Sequence, residues 1–343
     1  MKILHIADVH LGASNRKLSI QMQKVLKTEN GSRLKQAFDY AVNIGAGAIV
    51  IAGDLFHSKN PSVQLIKFFI DIVKSTNLPV FYVKGNHDEE FLFSDALPQN
   101  LYIFSNKFES FSIGEEVNIC GQSGRANVPL LDEKAFNILL LHGDVHSIAA
   151  DYIDLSGLKS KNIGYLALGH LHSYEAGKLD YGYYVYPGCL TSTGFDECGD
   201  KGFVVIDTDT RSFYFQALPG RKFDSVDVDI TGFNSFDDLV KKIEKSLTVY
   251  SEEDFIRVVL CGQFEDGQDK YLSMLTNHFS KRYAYFEIVD ESKIKIDLVK
   301  LQQESLSFKS EFLRLVSLDD SLSEQDKTTI CEFGINALRG DQP

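Results

Sequence analysis

Ten residues, Ala48-Ile49-Val50-Ile51-Ala52-Gly53-Asp54-Leu55-Phe56-His57, restrict the fold of this chain more than any others. The first five are a short apolar run with β-branched side chains, which reads as a buried strand of an α/β sheet. The run stops at glycine and presents the carboxylate of Asp54 where strand gives way to loop. Ligands of open α/β sheets bind beyond the carboxyl ends of strands. A single Asp there is usually a turn former, yet four further strand-like runs end in the same manner. They close on Asp8-Val9-His10, Gly85-Asn86-His87-Asp88, Leu141-His142-Gly143 and Leu168-Gly169-His170-Leu171-His172. Five strand ends carrying Asp, Asn or His describe a metal site, with Asp54 as the carboxylate bridging two ions.

Taken singly, Asp8 or Asn86 is more often a turn residue and His142 a satisfied buried histidine. The ordered series D-x-H, G-D, G-N-H-D, H-G and G-H-x-H is what carries the metal reading. The ligand set is Asp8, His10, Asp54, Asn86, His142, His170 and His172. Imidazole, carboxylate and amide oxygen without thiolate suit manganese, iron or zinc, and the oxygen donors favour the harder ions. His170 and His172 would face opposite sides of a regular strand, but Gly169 lets the chain turn so that each reaches a separate ion. Two ions roughly 3.5–4 Å apart clamp the attacking and leaving oxygens of a phosphoryl displacement and produce hydroxide near neutral pH.

The chain around these motifs begins with strand 2–7. A polar connection over 12–31 follows, then a helix capped by Ser32 with Leu34, Ala37, Phe38, Ala41 and Val42 on one face. After strand 48–52, Asn60-Pro61 opens a second helix with proline in its first turn. Pro79 resets the chain into strand 80–83. This β-α-β-α-β order implies a right-handed, largely parallel sheet. Short strands at 116–121, 137–141, 165–168, 183–186, 203–207 and 212–217 predict a second sheet packed face to face on the first, with helices outside. The chain leaves this domain near Pro219-Gly220-Arg221. Three domains are expected: 1–221, a small α/β module over 222–296, and a helical tail over 297–343. In the tail Ser321-Leu322-Ser323-Glu324 reads as a capping box and Gly340 as a stop.

A chain of 343 residues, 44% hydrophobic and 24% charged, is an ordinary globular protein with room for a sizeable core. No apolar run approaches the roughly 20 residues that span a bilayer, and no targeting segment is recognisable. Five scattered cysteines without a C-x-x-C pair suggest reduced thiols, hence a cytoplasmic location. The net charge of -13 argues against a protein that grips nucleic acid through its whole surface. Any DNA contact must be local, helped by the metals, or supplied by a partner; Arg16, Lys17, Lys24 and Arg125 are the candidates for it.

The order and wording of the motifs resemble the calcineurin-like metallophosphoesterase superfamily. That resemblance implies a four-layer α-β-β-α sandwich with two divalent ions, most often Mn2+. It also implies one ion on Asp8, His10, Asp54 and His172 and the other on Asp54, Asn86, His142 and His170. His87 would stand outside the ligand set and protonate the leaving oxygen or stabilise charge on the phosphorane. Asp88 either orients His87 or caps a turn. Asp8-Val9-His10-Leu11-Gly12, Gly53-Asp54-Leu55-Phe56-His57 with Pro61-Ser62, Tyr186-Pro187-Gly188 and Gly194-Phe195-Asp196-Glu197 are similar to the Mre11/SbcD DNA-repair nucleases. So is Gly199-Asp200-Lys201-Gly202. The small α/β module matches that family's capping domain in position and pattern only. The resemblance implies a DNA exo- and endonuclease, a homodimer partnered by a Rad50/SbcC-like coiled-coil ATPase, with His57 near the scissile phosphate. The alternatives are a small-molecule phosphodiesterase or phosphomonoesterase of the same superfamily, or a metal-bound scaffold without turnover.

Overall fold

The computed structural model describes residues 1–88, 93, 97–124, 127–147, 151–265, 267–295 and 308–339. Two compact units divide the chain, Met1–Phe223 and Asp224–Pro343. In the first unit, β1 (Lys2–Ile6), α1 (Ile20–Asn43), β2 (Ala48–Ala52), α2 (Val63–Thr76) and β3 (Val80–Val83) alternate. Then follow β4 (Leu101–Ile103), β5 (Glu109–Ile113), β6 (Val117–Gly121), β7 (Phe136–His142), α3 (Leu155–Leu158) and β8 (Ile163–Gly169). The unit closes with β9 (Glu175–Leu179), β10 (Gly182–Tyr186), β11 (Gly202–Asp207) and β12 (Ser212–Ala217).

Two six-stranded sheets result, ordered β12-β11-β1-β2-β3-β4 and β5-β6-β7-β8-β10-β9. Strands β1 to β4 run parallel, as do β6, β7, β8 and β10. The alternating side chains of β1 show how the layers form. Leu4 and Ile6 join a core shared with Leu34, Phe38, Phe69 and Val73 of the two helices. Ile3 faces the other way, into a core with Ile119, Ile138, Leu140 and Tyr165 of the second sheet. Strands buried on both faces need near-continuous apolar runs, which is why 48–52 is so legible. Truncating a fully buried residue between the sheets, such as Leu140, costs roughly 2–5 kcal/mol. The outer face of the second sheet is covered, among the described residues, by α3 and irregular chain carrying Val128, Leu131, Ile153 and Leu158.

In the first unit three sequence expectations need correction. Strands 203–207 and 212–217 belong to the first sheet: β11 pairs antiparallel with β1, Lys2 opposite Asp207 and His5 opposite Val204. The first helix is capped by Ser19, whose hydroxyl accepts from Met22 N, and runs through Ser32. Asn30-Gly31-Ser32 looks like a break but is a contact. The Asn30 amide donates to the Val9 carbonyl at 2.7 Å, and a Cβ on Gly31 would come within 3.2 Å of Phe68. The second helix is capped by Ser62, whose hydroxyl accepts from Leu65 N, so Pro61 precedes the helix.

The second unit carries β13 (Phe223–Asp229), α4 (Phe236–Ser246), β14 (Phe255–Cys261), β15 (Gln263–Phe264), α5 (Leu272–Phe279), β16 (Tyr285–Asp290) and β17 (Lys293–Ile294). Its main sheet is ordered β13-β14-β16, over a core of Val228, Leu239, Ile243, Val258, Leu275 and Phe279. Helices α6 (Phe308–Ser317) and α7 (Glu324–Arg339) pack through Leu313, Val316 and Cys331. The capping pair of α7 is Ser323 and Asp326, each accepting the other's backbone N–H, and not the expected Ser321, whose hydroxyl donates to Asp319. Gly340 and Arg125 lie outside the described residues. No described helix is long and apolar enough to cross a membrane.

Candidate metal centre

The carboxyl ends of β1, β2, β3, β7 and β8 meet on one rim of the two sheets. The chain leaving β1 and the chain leaving β2 continue side by side, with His10 N donating to Asp54 O at 2.9 Å and Leu11 N to Leu55 O at 2.8 Å. Four residues there hold positive φ although they are not glycine: Asp8 (47°), His10 (47°), Asp54 (49°) and His170 (112°). Such backbone is uncommon for L-residues and gathers at functional sites. Close approach also dictates two glycines. A Cβ on Gly53 would sit 2.0 Å from His142 Nδ1, and one on Gly85 would sit 2.1 Å from Asp54 Oδ1.

All seven predicted ligand residues are brought together. Asp8, fully buried, accepts the His170 N–H on both oxygens at 2.9 Å. Asp54 Oδ1 accepts the His87 N–H at 2.9 Å. Its Oδ2 lies between two groups, 3.7 Å from His10 Nε2 and 3.6 Å from His142 Nε2. On the first side, His10 Nε2 and His172 Nε2 are 3.1 Å apart. On the second, His142 Nε2 is 3.0 Å from Asn86 Oδ1, and the His142 and His170 rings meet edge to face at 5.5 Å.

The cluster crowds imidazole nitrogens against carboxylate and amide oxygens. His142 Nδ1 donates to the Ala52 carbonyl at 3.0 Å, and burial pushes its pKa down to about 4, so near neutral pH its Nε2 is a bare lone pair. That lone pair faces Asn86 Oδ1 and Asp54 Oδ2, both acceptors. Asp8 is pushed well above the usual carboxylate range by burial and by the charge of Asp54, and Asp54 is itself raised by burial. Crowded lone pairs and disfavoured carboxylates are what divalent cations relieve. The donor set of nitrogen and oxygen suits such ions, so these residues fit a pair of metals.

His87 and His57 stand beside this cluster. His87 Nδ1 lies 3.2 Å from the His57 carbonyl, its ring stacks on His57 at 5.4 Å, and it meets the His10 ring edge to face at 4.8 Å. His57 is held below its ordinary pKa by partial burial and by His87. Asp88 does not orient His87. It accepts from Gly85 N at 2.8 Å, Phe56 N at 3.2 Å and the Tyr82 hydroxyl at 2.5 Å, so it caps the turn and ties it to the loop after β2.

Other residues take plainer places. His5 is buried between the sheets with Nδ1 2.9 Å from the Tyr165 hydroxyl, and exposed His146 pairs with Glu175 at 2.8 Å. His278 lies in the second unit beside Phe236. A cavity of about 460 Å³ lined by Met1, Lys134, Phe136 and Arg211 lies at the other end of the strands. Sequence reasoning assigned no role to Glu197, which is buried and receives His172 Nδ1. Nor did it assign one to buried Lys201, whose ammonium donates to the His172 carbonyl at 3.0 Å. The only sequence signal was their place in the Gly194–Gly202 wording.

Comparison with known proteins places this geometry. The chain is 26% identical to the DNA double-strand break repair protein Mre11 of Archaeoglobus fulgidus, over 95% of this chain and 82% of that protein. It is 24% identical to an uncharacterized metallophosphoesterase of Bacillus subtilis, YhaO, over 72% of this chain and 68% of that protein. Against Mre11 of Sulfolobus acidocaldarius the identity is 30%, over 53% of this chain and 52% of that protein. The family model for calcineurin-like phosphoesterases matches residues 1–189, which takes in all five strand ends. With that match spanning more than half its length, the chain belongs to the calcineurin-like phosphoesterase family and is a metal-dependent phosphoester hydrolase.

Proposed function

We propose that this hydrolase is a DNA phosphodiesterase of Mre11/SbcD type, acting as exo- and endonuclease in DNA repair. The observation that carries the reading is the extent of the likeness to Archaeoglobus Mre11, 95% of the chain, which reaches through the second unit as well as the family domain. Residues 1–221 are the nuclease domain, 222–296 a capping domain and 297–343 a helical tail. The protein works in the cytoplasm as a homodimer with a Rad50/SbcC-like coiled-coil ATPase, which supplies the DNA affinity that a net charge of -13 withholds.

Asp8, His10, Asp54 and His172 hold one ion and Asp54, Asn86, His142 and His170 the other, with Mn2+ as the metal. When bound, the ions provide hydroxide near neutral pH and neutralise charge on the phosphoryl oxygens. The residues do the rest. The His170 N–H holds Asp8 and the His87 N–H holds Asp54, so both carboxylates that would bind the ions are oriented by backbone. His87 directs Nδ1–H at the His57 carbonyl, so in its doubly protonated form Nε2–H is the proton it would give to the departing oxygen, returning to the neutral ring. His57, stacked on that ring, sits beside the phosphate.

The test sets bis-p-nitrophenyl phosphate, p-nitrophenyl phosphate and short duplex DNA side by side with manganese present. Cleavage of the diester and of DNA is expected. Turnover of the monoester alone would replace this reading with a small-molecule phosphomonoesterase.

A further inference from the structure

Behind His172 lies a buried arrangement that the ligand set does not include. Glu197 is 6% exposed. One of its oxygens accepts from His172 Nδ1. The other accepts from Thr193 N at 2.6 Å and from the Thr193 hydroxyl at 3.1 Å, while its own carbonyl accepts from the Ser192 hydroxyl at 2.7 Å. The carboxylate is therefore fixed at both ends and cannot turn away. His172 is held from its main chain as well. Its carbonyl accepts the Lys201 ammonium at 3.0 Å and the Cys189 N–H at 3.3 Å, and Lys201 is only 4% exposed.

A neutral imidazole carries one ring proton, and the tautomer is set by the partner of the other nitrogen. With Nδ1–H committed to Glu197, His172 Nε2 is a lone pair, and it is this atom that lies 3.1 Å from His10 Nε2. We propose that Glu197 is a positioning residue for one of the two ions: it fixes the tautomer and ring orientation of His172, and the 188–201 loop is thereby the element that completes that half of the centre. This inference rests on the dimetal reading above. It explains why a family of residues so far along the chain from His172 is folded against it, and it makes the two halves of the centre unequal. His142 is oriented by a backbone carbonyl, that of Ala52, which no side-chain substitution removes. His172 is oriented by a carboxylate, which one substitution does remove. Second-sphere carboxylates of this kind raise ligand basicity and are typically worth about 10- to 100-fold in metal affinity.

The test is a Mn2+ titration of the metal-free full-length chain, read as ions bound per chain and the affinity of each, for wild type, Glu197→Gln, Glu197→Ala and Thr193→Val. Glu197→Gln keeps the shape but loses the charge and offers one carbonyl oxygen to two donors, His172 Nδ1–H and Thr193 N–H, so about a 10-fold loss at one ion is expected. Glu197→Ala should approach 100-fold at that ion, with the other unchanged. Thr193→Val removes one contact of the loop and leaves the carboxylate on His172, so both affinities should hold. Nitrogen NMR of the metal-free protein gives a readout independent of metal: the His172 ring proton should sit on Nδ1 in wild type and be shared between the nitrogens in Glu197→Ala. Two ions in wild type with unchanged affinities and tautomer in the Glu197 variants would overturn the role of Glu197 alone. A wild-type chain that takes up no ions would overturn the dimetal reading and this inference with it. Equal weakening of both ions would overturn the assignment to one half.

Discussion

Asp54 faces two groups of nitrogen donors with a single oxygen, and its neighbours divide by what each would lose on replacement. His142→Ala removes a donor from one side, so it should bind one ion in place of two and lose nearly all turnover. His87→Ala removes no donor; it should keep both ions while the rate falls about 10²–10⁴-fold, the usual worth of a general acid. Elemental analysis beside a bis-p-nitrophenyl phosphate assay separates the two, and an emptied site in His87→Ala would refute its role. Gly85→Ala should act through sterics alone. The new Cβ would meet Asp54 Oδ1 at 2.1 Å and Asp54 N at 2.6 Å, so metal uptake should fall although no donor has changed. Away from the rim, His5 adds to the acid sensitivity of the metal-free protein. Burial pushes the His5 pKa from 6.5 to about 3, so below pH 6.5 the unfolded chain takes up a proton that the folded chain refuses. Stability from this group is whole above 6.5 and drains away as pH falls toward 3. Between pH 7.5 and 5 that amounts to about 2 kcal/mol, and denaturant melts should show wild type losing that much more than His5→Gln. The seven clustered residues were legible because each lies where a strand-like run ends in a residue type foreign to a strand. Glu197 was not, because its meaning depends on a loop that returns from 25 positions away.

Elements were legible where burial was two-sided and less so where a contact imitates a boundary. The runs at 48–52 and 80–83 are fully buried and read at once. Helix α1 misleads because Asn30 and Gly31 serve a neighbouring strand end and a neighbouring helix, which a one-dimensional pattern cannot separate from a helix start. Strands β11 and β12 were recognised as strands, but partner choice is a long-range property and the alternation within a strand does not carry it. Asp88 shows what joins the elements at the rim. Replacing it with Ala would strand the Tyr82 hydroxyl and two backbone N–H groups, at roughly 1–3 kcal/mol for each group left buried and unsatisfied. The melting temperature of Asp88→Ala should drop accordingly, and a drop no larger than that of a surface substitution would show that the turn holds without its cap.

On the scale of the whole chain, the charge of -13 predicts weak binding of duplex DNA by the isolated protein, falling steeply with ionic strength. Filter binding from low to physiological salt measures it; tight binding at physiological salt would require a basic face. The tail makes the complementary prediction. Phe308, Leu315, Leu318 and Phe333 are exposed on α6, α7 and the chain between them, and helices this short need a surface to pack on. A chain ending at residue 297 should keep manganese and diesterase activity but no longer co-purify with a coiled-coil ATPase. Undiminished co-purification would place the docking element elsewhere. The antiparallel pairing of β1 with β11 carries a consequence of another kind. The strand that delivers Asp8 is synthesised long before one of its two neighbours, residues 202–207. Until some two hundred further residues have followed it from the ribosome, β1 remains an open edge beside β2. Pairings of such long reach fold slowly and leave a nascent chain exposed to aggregation. The rim cluster, which draws supports from residues 188–201, is therefore completed only after the second sheet has all its strands, and a chain stalled before that point would be a client for chaperones before it was an enzyme.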